Sequence, residues 1–133
     1  MTTLTPYGEA DIVHGFFRAT SSTGGEISLY DTEGTAYTLA EGQRFVTTSA
    51  ACGNSVGGDI AVHYDDDNGD DVDAGEEIIR IEAEVNGGIS EELPFPHRVS
   101  KKISSAGASK PHVKAASSGT VWARILGYAF PQK

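Results

Sequence analysis

Along most of the chain apolar residues recur at every second position, a period that predicts strands rather than helices. Residues 76–85, EEIIRIEAEV, place Ile79, Ile81, Ala83 and Val85 on one face and Arg80, Glu82 and Glu84 on the other. That is the pattern of a half-buried antiparallel strand. Asn86-Gly87-Gly88 follows at once, and Asn-Gly readily adopts the positive φ angles of a tight turn. Ile89, Glu91, Leu93 and Phe95 alternate again, with Pro94 and Pro96 favouring an edge position. A hairpin is predicted over 76–95.

Other segments read the same way. IVHGFFR (12–18) is the expected first strand, ISLY (27–30) and AYTL (36–39) flank the turn sequence Asp31-Thr32-Glu33-Gly34, and QRFVTTSAA (43–51) is a longer strand. IAVHY (60–64) alternates; HRVSKKI (97–103) and HVKAA (112–116) are weaker candidates. Residues 1–11 show no period and are expected to form an arm, leaving 12–133 as one domain. The expected fold is all-β: an antiparallel, jelly-roll-like sandwich of eight to ten short strands, with a closed barrel as the alternative.

The strongest apolar segment is GTVWARILGYAF, 119–130. A helix is conceivable there, but the β-branched and aromatic residues favour a strand and Gly127 disfavours helix. As a strand it puts Val121, Ala123, Ile125 and Ala129 on one face, and Trp122, Arg124, Leu126, Tyr128 and Phe130 on the other. Both faces are apolar, so both call for cover. Aromatics with an arginine suit the core of a subunit contact; an arm or loop of the same chain is the competing cover.

At 133 residues the chain holds one ordinary domain. A single cysteine excludes an internal disulfide. No signal peptide or apolar membrane span is visible. The net charge of −9 is uneven: residues 59–96 hold thirteen acids and one base, while 97–133 hold seven bases and no acid. A net-negative chain is a poor nucleic-acid binder, and so uneven a charge suits either neighbouring strands of opposite sign or docking between copies.

Within the acidic run, Asp66, Asn68, Asp70 and Glu77 match positions 1, 3, 5 and 12 of a calcium loop, but Asp71 stands where that pattern requires glycine. Calcium is the one cofactor the sequence suggests; a solvated acidic turn is the alternative. His14, His63, His97 and His112 lack metal-ligand spacing. Cys52, in ACGNSVGG, reads as a loop residue with no designated base. Ser22-Thr23-Gly24-Gly25 reads as a turn, and no catalytic motif is present, so no enzymatic activity is expected.

The order of features from 42 to 130 (RFVTT, the acidic DDDNGDDVDAGEEI, the NGG turn and the final GTVWARILGYAF) resembles the small jelly-roll cement or decoration proteins of tailed bacteriophages. The likeness covers about two-thirds of the chain and lies in pattern rather than signature residues. It implies a homotrimer on the capsid surface, assembled in the host cytoplasm, that clamps the major capsid protein without catalysis and without nucleic-acid or membrane contacts. A carbohydrate- or receptor-binding module of a phage fibre or tail tip is the alternative, with Tyr7, Tyr30, Tyr37, Tyr64 and Trp122 as candidate sugar platforms.

Overall fold

The computed structural model describes residues 2–5, 8–65, 77–93, 98–107 and 110–133. Over these residues the chain is all β. The strands are β1 (Thr2–Thr5), β2 (Gly8–Glu26), β3 (Ser28–Tyr30), β4 (Arg44–Asn54), β5 (Gly58–Asp65), β6 (Glu77–Ala83), β7 (Gly87–Glu92), β8 (Arg98–Val99) and β9 (Lys110–Phe130). Every pairing is antiparallel, and the strands form one connected sheet.

The organising strand is β9. Its C-terminal part lies between β2 and β4, with Arg124 opposite both Phe16 and Ala51. Its N-terminal part lies between β2 and β5, with Val113 opposite Gly25 and Val62. HVKAA and the final apolar segment, read separately in the sequence, are therefore one strand of 21 residues. The first strand is longer than expected for a related reason. β2 runs through Ser22–Gly25 on bulges, slipping register between Ala19 and Ser22 and again between Ser22 and Gly24. Ser21 (φ +49°) and Gly24 (φ +116°) supply the unusual backbone angles, and bulges bend a strand instead of ending it.

The bend brings two limbs of the sheet face to face over one core. Val13, Phe45, Val121 and Ile125 come from the β2–β9–β4 limb; Ile60, Val62, Ile79 and Val113 come from the β9–β5–β6 limb. The rings of Phe45 and Tyr64 meet edge-on across it, 5.9 Å apart. The Tyr64 hydroxyl bonds the Thr47 hydroxyl and reaches the Phe45 carbonyl at 3.3 Å, so a buried polar group keeps its partners.

Asn54 locks the bend. Only 1% exposed, it donates from Nδ2 to the Ser117 carbonyl (2.8 Å) and accepts from the Val56 amide (3.3 Å). Next to it, the Ser55 hydroxyl accepts from the Thr120 amide at 2.8 Å. The tight β4–β5 turn is thereby tied to the point where β9 changes limbs.

The hairpin predicted over 76–95 does not form. β6 pairs with β5 and β7 pairs with β4, so Glu84–Asn86 is an arch between limbs. Asn86 does take the positive φ (+58°) that the turn residues foretold. The pairing differs because β4 and β5 leave an open edge on opposite limbs, and each neighbour in sequence satisfies one of them. Cys52, read as a loop residue, is a buried member of β4, since the Gly-rich stretch begins only as that strand ends.

In the segment expected as an arm, β1 folds back on β2 with Thr2 opposite Asp11, and Ala10 is fully buried. The Asp11 carboxylate accepts from the Tyr37 hydroxyl (2.6 Å) and the Lys133 amide (3.1 Å). Gln43 Nε2 donates to the Tyr37 hydroxyl (2.9 Å) and to the Pro131 carbonyl (2.8 Å). The Lys133 ammonium stands 4.1 Å above the Tyr37 ring. The 37–43 loop thus clasps the start of β2 to the end of the chain.

Two measurements follow. Asn54→Ala should cost about 1–3 kcal/mol, the usual penalty for orphaning buried hydrogen-bond partners, read as a lowered urea midpoint at unchanged slope. Burial, foremost, holds the Tyr64 phenol above its ordinary value, and burial together with the Asp11 hydrogen bond does the same at Tyr37. The native state therefore keeps protons that the unfolded chain releases above about pH 10. Stability from these two groups should be intact below that pH and lost progressively above it, as pH climbs toward their raised folded values. The urea midpoint should fall between pH 8 and pH 11, and fall less in Tyr37→Phe.

Candidate functional site

The outward side of the β2–β9–β4 limb is built by cross-strand register. Tyr128 lies between Ile12 and Val46, Leu126 between His14 and Ser49, Arg124 between Phe16 and Ala51, and Trp122 between Arg18 and Gly53. Alternation along β9 follows the sequence pattern. Val121, Ala123, Ile125 and Ala129 are buried beneath, at 3% exposure or less. Trp122, Tyr128 and Phe130 are half-buried, and Arg124 and Leu126 are exposed.

Trp122 sits on backbone. A Cβ on Gly53 would stand 2.5 Å from the indole nitrogen, and one on Gly88 would stand 2.6 Å from the ring. Only residues without side chains on β4 and β7 let the indole lie so close. Part of the cover expected from outside is therefore supplied by the ring's own sheet. Beyond the tryptophan the face stays open: Phe16 is 42% and Leu126 45% exposed. The Arg124 guanidinium stacks over Phe16, 5.5 Å from the ring centre, a cation–π contact that holds an arginine flat against an apolar surface.

Arg124 separates two shallow hollows. One is lined by Phe16, Arg18, Ala51 and Trp122; the other by His14, Ser49 and Leu126. Across 12–18, 44–53 and 122–130 the outward charged side chains are Arg18, Arg44 and Arg124, joined by His14, and these three segments contain no carboxylate; the nearest acid in register is Glu92 of β7, opposite Ser49. This is notable in a chain of net charge −9. Described acids concentrate elsewhere. Asp59 and Glu77 flank Arg80 on the other limb, and Glu26 pairs with Lys110 at 3.2 Å.

Sequence reasoning named Trp122, Arg124, Leu126, Tyr128 and Phe130, and the structure lines these up on one outward face. It missed Phe16, Arg18 and Ala51, which only the pairing of β2 and β4 with β9 brings alongside. The alternation in IVHGFFR was the available signal for Phe16 and Arg18. Of the calcium-loop candidates, Asp66, Asn68 and Asp70 lie outside the described residues, and Glu77 holds Arg80 Nε at 3.0 Å. No group of three potential metal ligands occurs among the described residues. Of the sugar-platform candidates, Tyr64 is buried in the core, Tyr37 is half-buried in the clasp, Tyr30 packs against His14, and Tyr7 lies outside the described residues.

No family model and no curated protein matches this chain. Solved structures similar to it include the following two. The core of Drosophila NLP, described for pentamer formation and histone binding, shares 16% identity at a TM-score of 0.35, covering 87% of this chain and 98% of that one. The virus-like particle of extra small virus from the giant freshwater prawn Macrobrachium rosenbergii shares 12% identity at 0.36, covering 93% and 77%. One neighbour is thus a viral capsid. At these identities the likenesses assign no activity.

Gly53→Ala and Gly88→Ala should each displace the indole. Because Trp122 is the sole tryptophan, its emission should shift to the red, with a loss of about 1–3 kcal/mol from forced repacking.

Proposed function

We propose that this protein is a non-enzymatic structural component of a virion. Specifically, it is a capsid cement or decoration protein with a jelly-roll-like sandwich, bound to the major capsid protein as a homo-oligomer, with three copies the favoured number. The observation that carries the assembly part is the outward row on β9 with Phe16 of β2 beside it, where Leu126 and Phe16 stay near half-exposed next to half-buried Trp122, Tyr128 and Phe130. Aromatic side chains around an arginine, centred on a sheet face, are the usual composition of a subunit contact. The capsid part is supported by the resemblance in order of sequence features and turn chemistry between residues 42 and 130.

The role follows physically from that arrangement. A capsid under internal pressure gains from subunits that bridge neighbouring capsomers. Linked copies also bind with avidity, so individual contacts can be weak. Covering the open parts of Phe16 and Leu126 contributes roughly 1 kcal/mol each at ordinary area coefficients.

Light scattering after size exclusion should give the mass of an oligomer. Trp122→Ala should shift that mass toward the monomer while circular dichroism stays unchanged. Particles assembled without this chain should release their contents at lower temperature than complete ones, and added wild-type protein, but not Trp122→Ala, should restore them. Failure of the wild-type protein to bind such particles would sink the capsid assignment.

A further inference from the structure

The charged side chains that line the Phe16–Trp122 hollow, Arg18 and Arg124, are both basic, and this decides how two copies can meet there. In a two-fold, face-to-face dimer the same patch meets itself, bringing Arg18 and Arg124 of each copy against those of the other. Like charges across a contact cost several kcal/mol. The surface that fits this face must instead be apolar at its centre and acidic at its rim.

The chain carries one such surface among its described residues. At the arch between β6 and β7, Val85 is 70% exposed, the largest exposure among the described bulky apolar residues, and Val56 on the adjoining β4–β5 turn is 47% exposed. The Asn86 amide donates to the Ser55 carbonyl at 3.0 Å, which ties the arch to that turn. Glu84 directly precedes Val85 and Glu82 lies three positions before it, and both are exposed. The tip therefore presents two valines rimmed by two carboxylates. The hollow of Phe16, Ala51 and Trp122 is rimmed by Arg18 and Arg124. The two surfaces are complementary, apolar at both centres and opposite in charge at their rims.

They also belong to one end of the molecule. Trp122, which lines the hollow, rests against Gly88, two residues past the arch. A contact between different patches on identical copies propagates head to tail and closes into a ring when the rotation allows. We infer that the Val56/Val85 tip of one copy docks in the Phe16–Trp122 hollow of the next, with Glu82 and Glu84 facing Arg18 and Arg124. This rests on the reading of that face as a subunit contact, and it assigns the partner: a second copy, through its arch.

The test is charge reversal on the full-length protein, read by sedimentation velocity across a concentration series. Arg124→Glu and Glu84→Lys should each weaken self-association by about tenfold or more, and the double variant should recover most of the loss. Added salt should weaken the wild type. Arg18→Glu serves as a second hollow variant should Arg124→Glu lose its native circular dichroism. If hollow variants and Trp122→Ala dissociate the oligomer while Glu84→Lys does not, the face remains a subunit contact and the arch is excluded. If none of these changes the mass, or the wild type is monomeric at every concentration, the docking and the subunit-contact reading fail together.

Discussion

The whole structure depends on a single long strand being paired along both edges. β9 meets β2 on one side and, on the other, first β5 and then β4. Its backbone donors and acceptors are consumed by neighbours, and its inward residues, from Val113 through Ala115, Val121 and Ile125 to Ala129, run the length of the core. A strand so placed cannot lie flat, because its two ends belong to limbs that face each other. The bulges in β2 and the Asn54–Ser117 hydrogen bond absorb that change of direction. Without them, the polar groups at the bend would be buried without partners.

The outward face is a consequence of the same strand. Putting Val121, Ala123, Ile125 and Ala129 inward obliges Trp122, Arg124, Leu126 and Tyr128 outward, because successive residues of a strand alternate. The protein handles this load in two ways. It seats the indole on glycine backbone from β4 and β7, and it lays the Arg124 guanidinium over Phe16. Neither device closes the patch. What remains is amphipathic and basic, which favours a partner of opposite sign over a copy of itself turned face to face. Assembly by unlike patches is therefore the reading that charge supports.

The chain ends are governed by a separate, polar device. Tyr37, Asp11, Gln43 and the backbone of Pro131 and Lys133 form one hydrogen-bonded group at the margin of the core. It ties the first long strand and the last to the 37–43 loop, so the ends of β2 and β9 are held by side chains as well as by sheet pairing. Burial and the neighbouring carboxylate keep the Tyr37 proton in place. The clasp is therefore neutral at its hydroxyl, and it is weakened by strong alkali.

Alternation by itself determined that this chain is all β, how residues 60–64 sort onto two faces, which residues of 79–83 and 121–129 turn inward, and which of Trp122 to Phe130 turn outward. Side-chain parity is local, so no neighbour needs to be known to read it. The Asn-Gly turn was legible too, as a backbone angle. Which strands the turn joins was not, because hydrogen-bonded partners are chosen by free sheet edges distant in sequence. That choice made an arch of the expected hairpin, fused two C-terminal strands into one, and moved Cys52 into a buried strand. It also placed Phe16, Arg18 and Ala51 beside Trp122 and Arg124. The composition of the face was written in one segment, but its width, its charge and its hollow arise only where three strands lie in register.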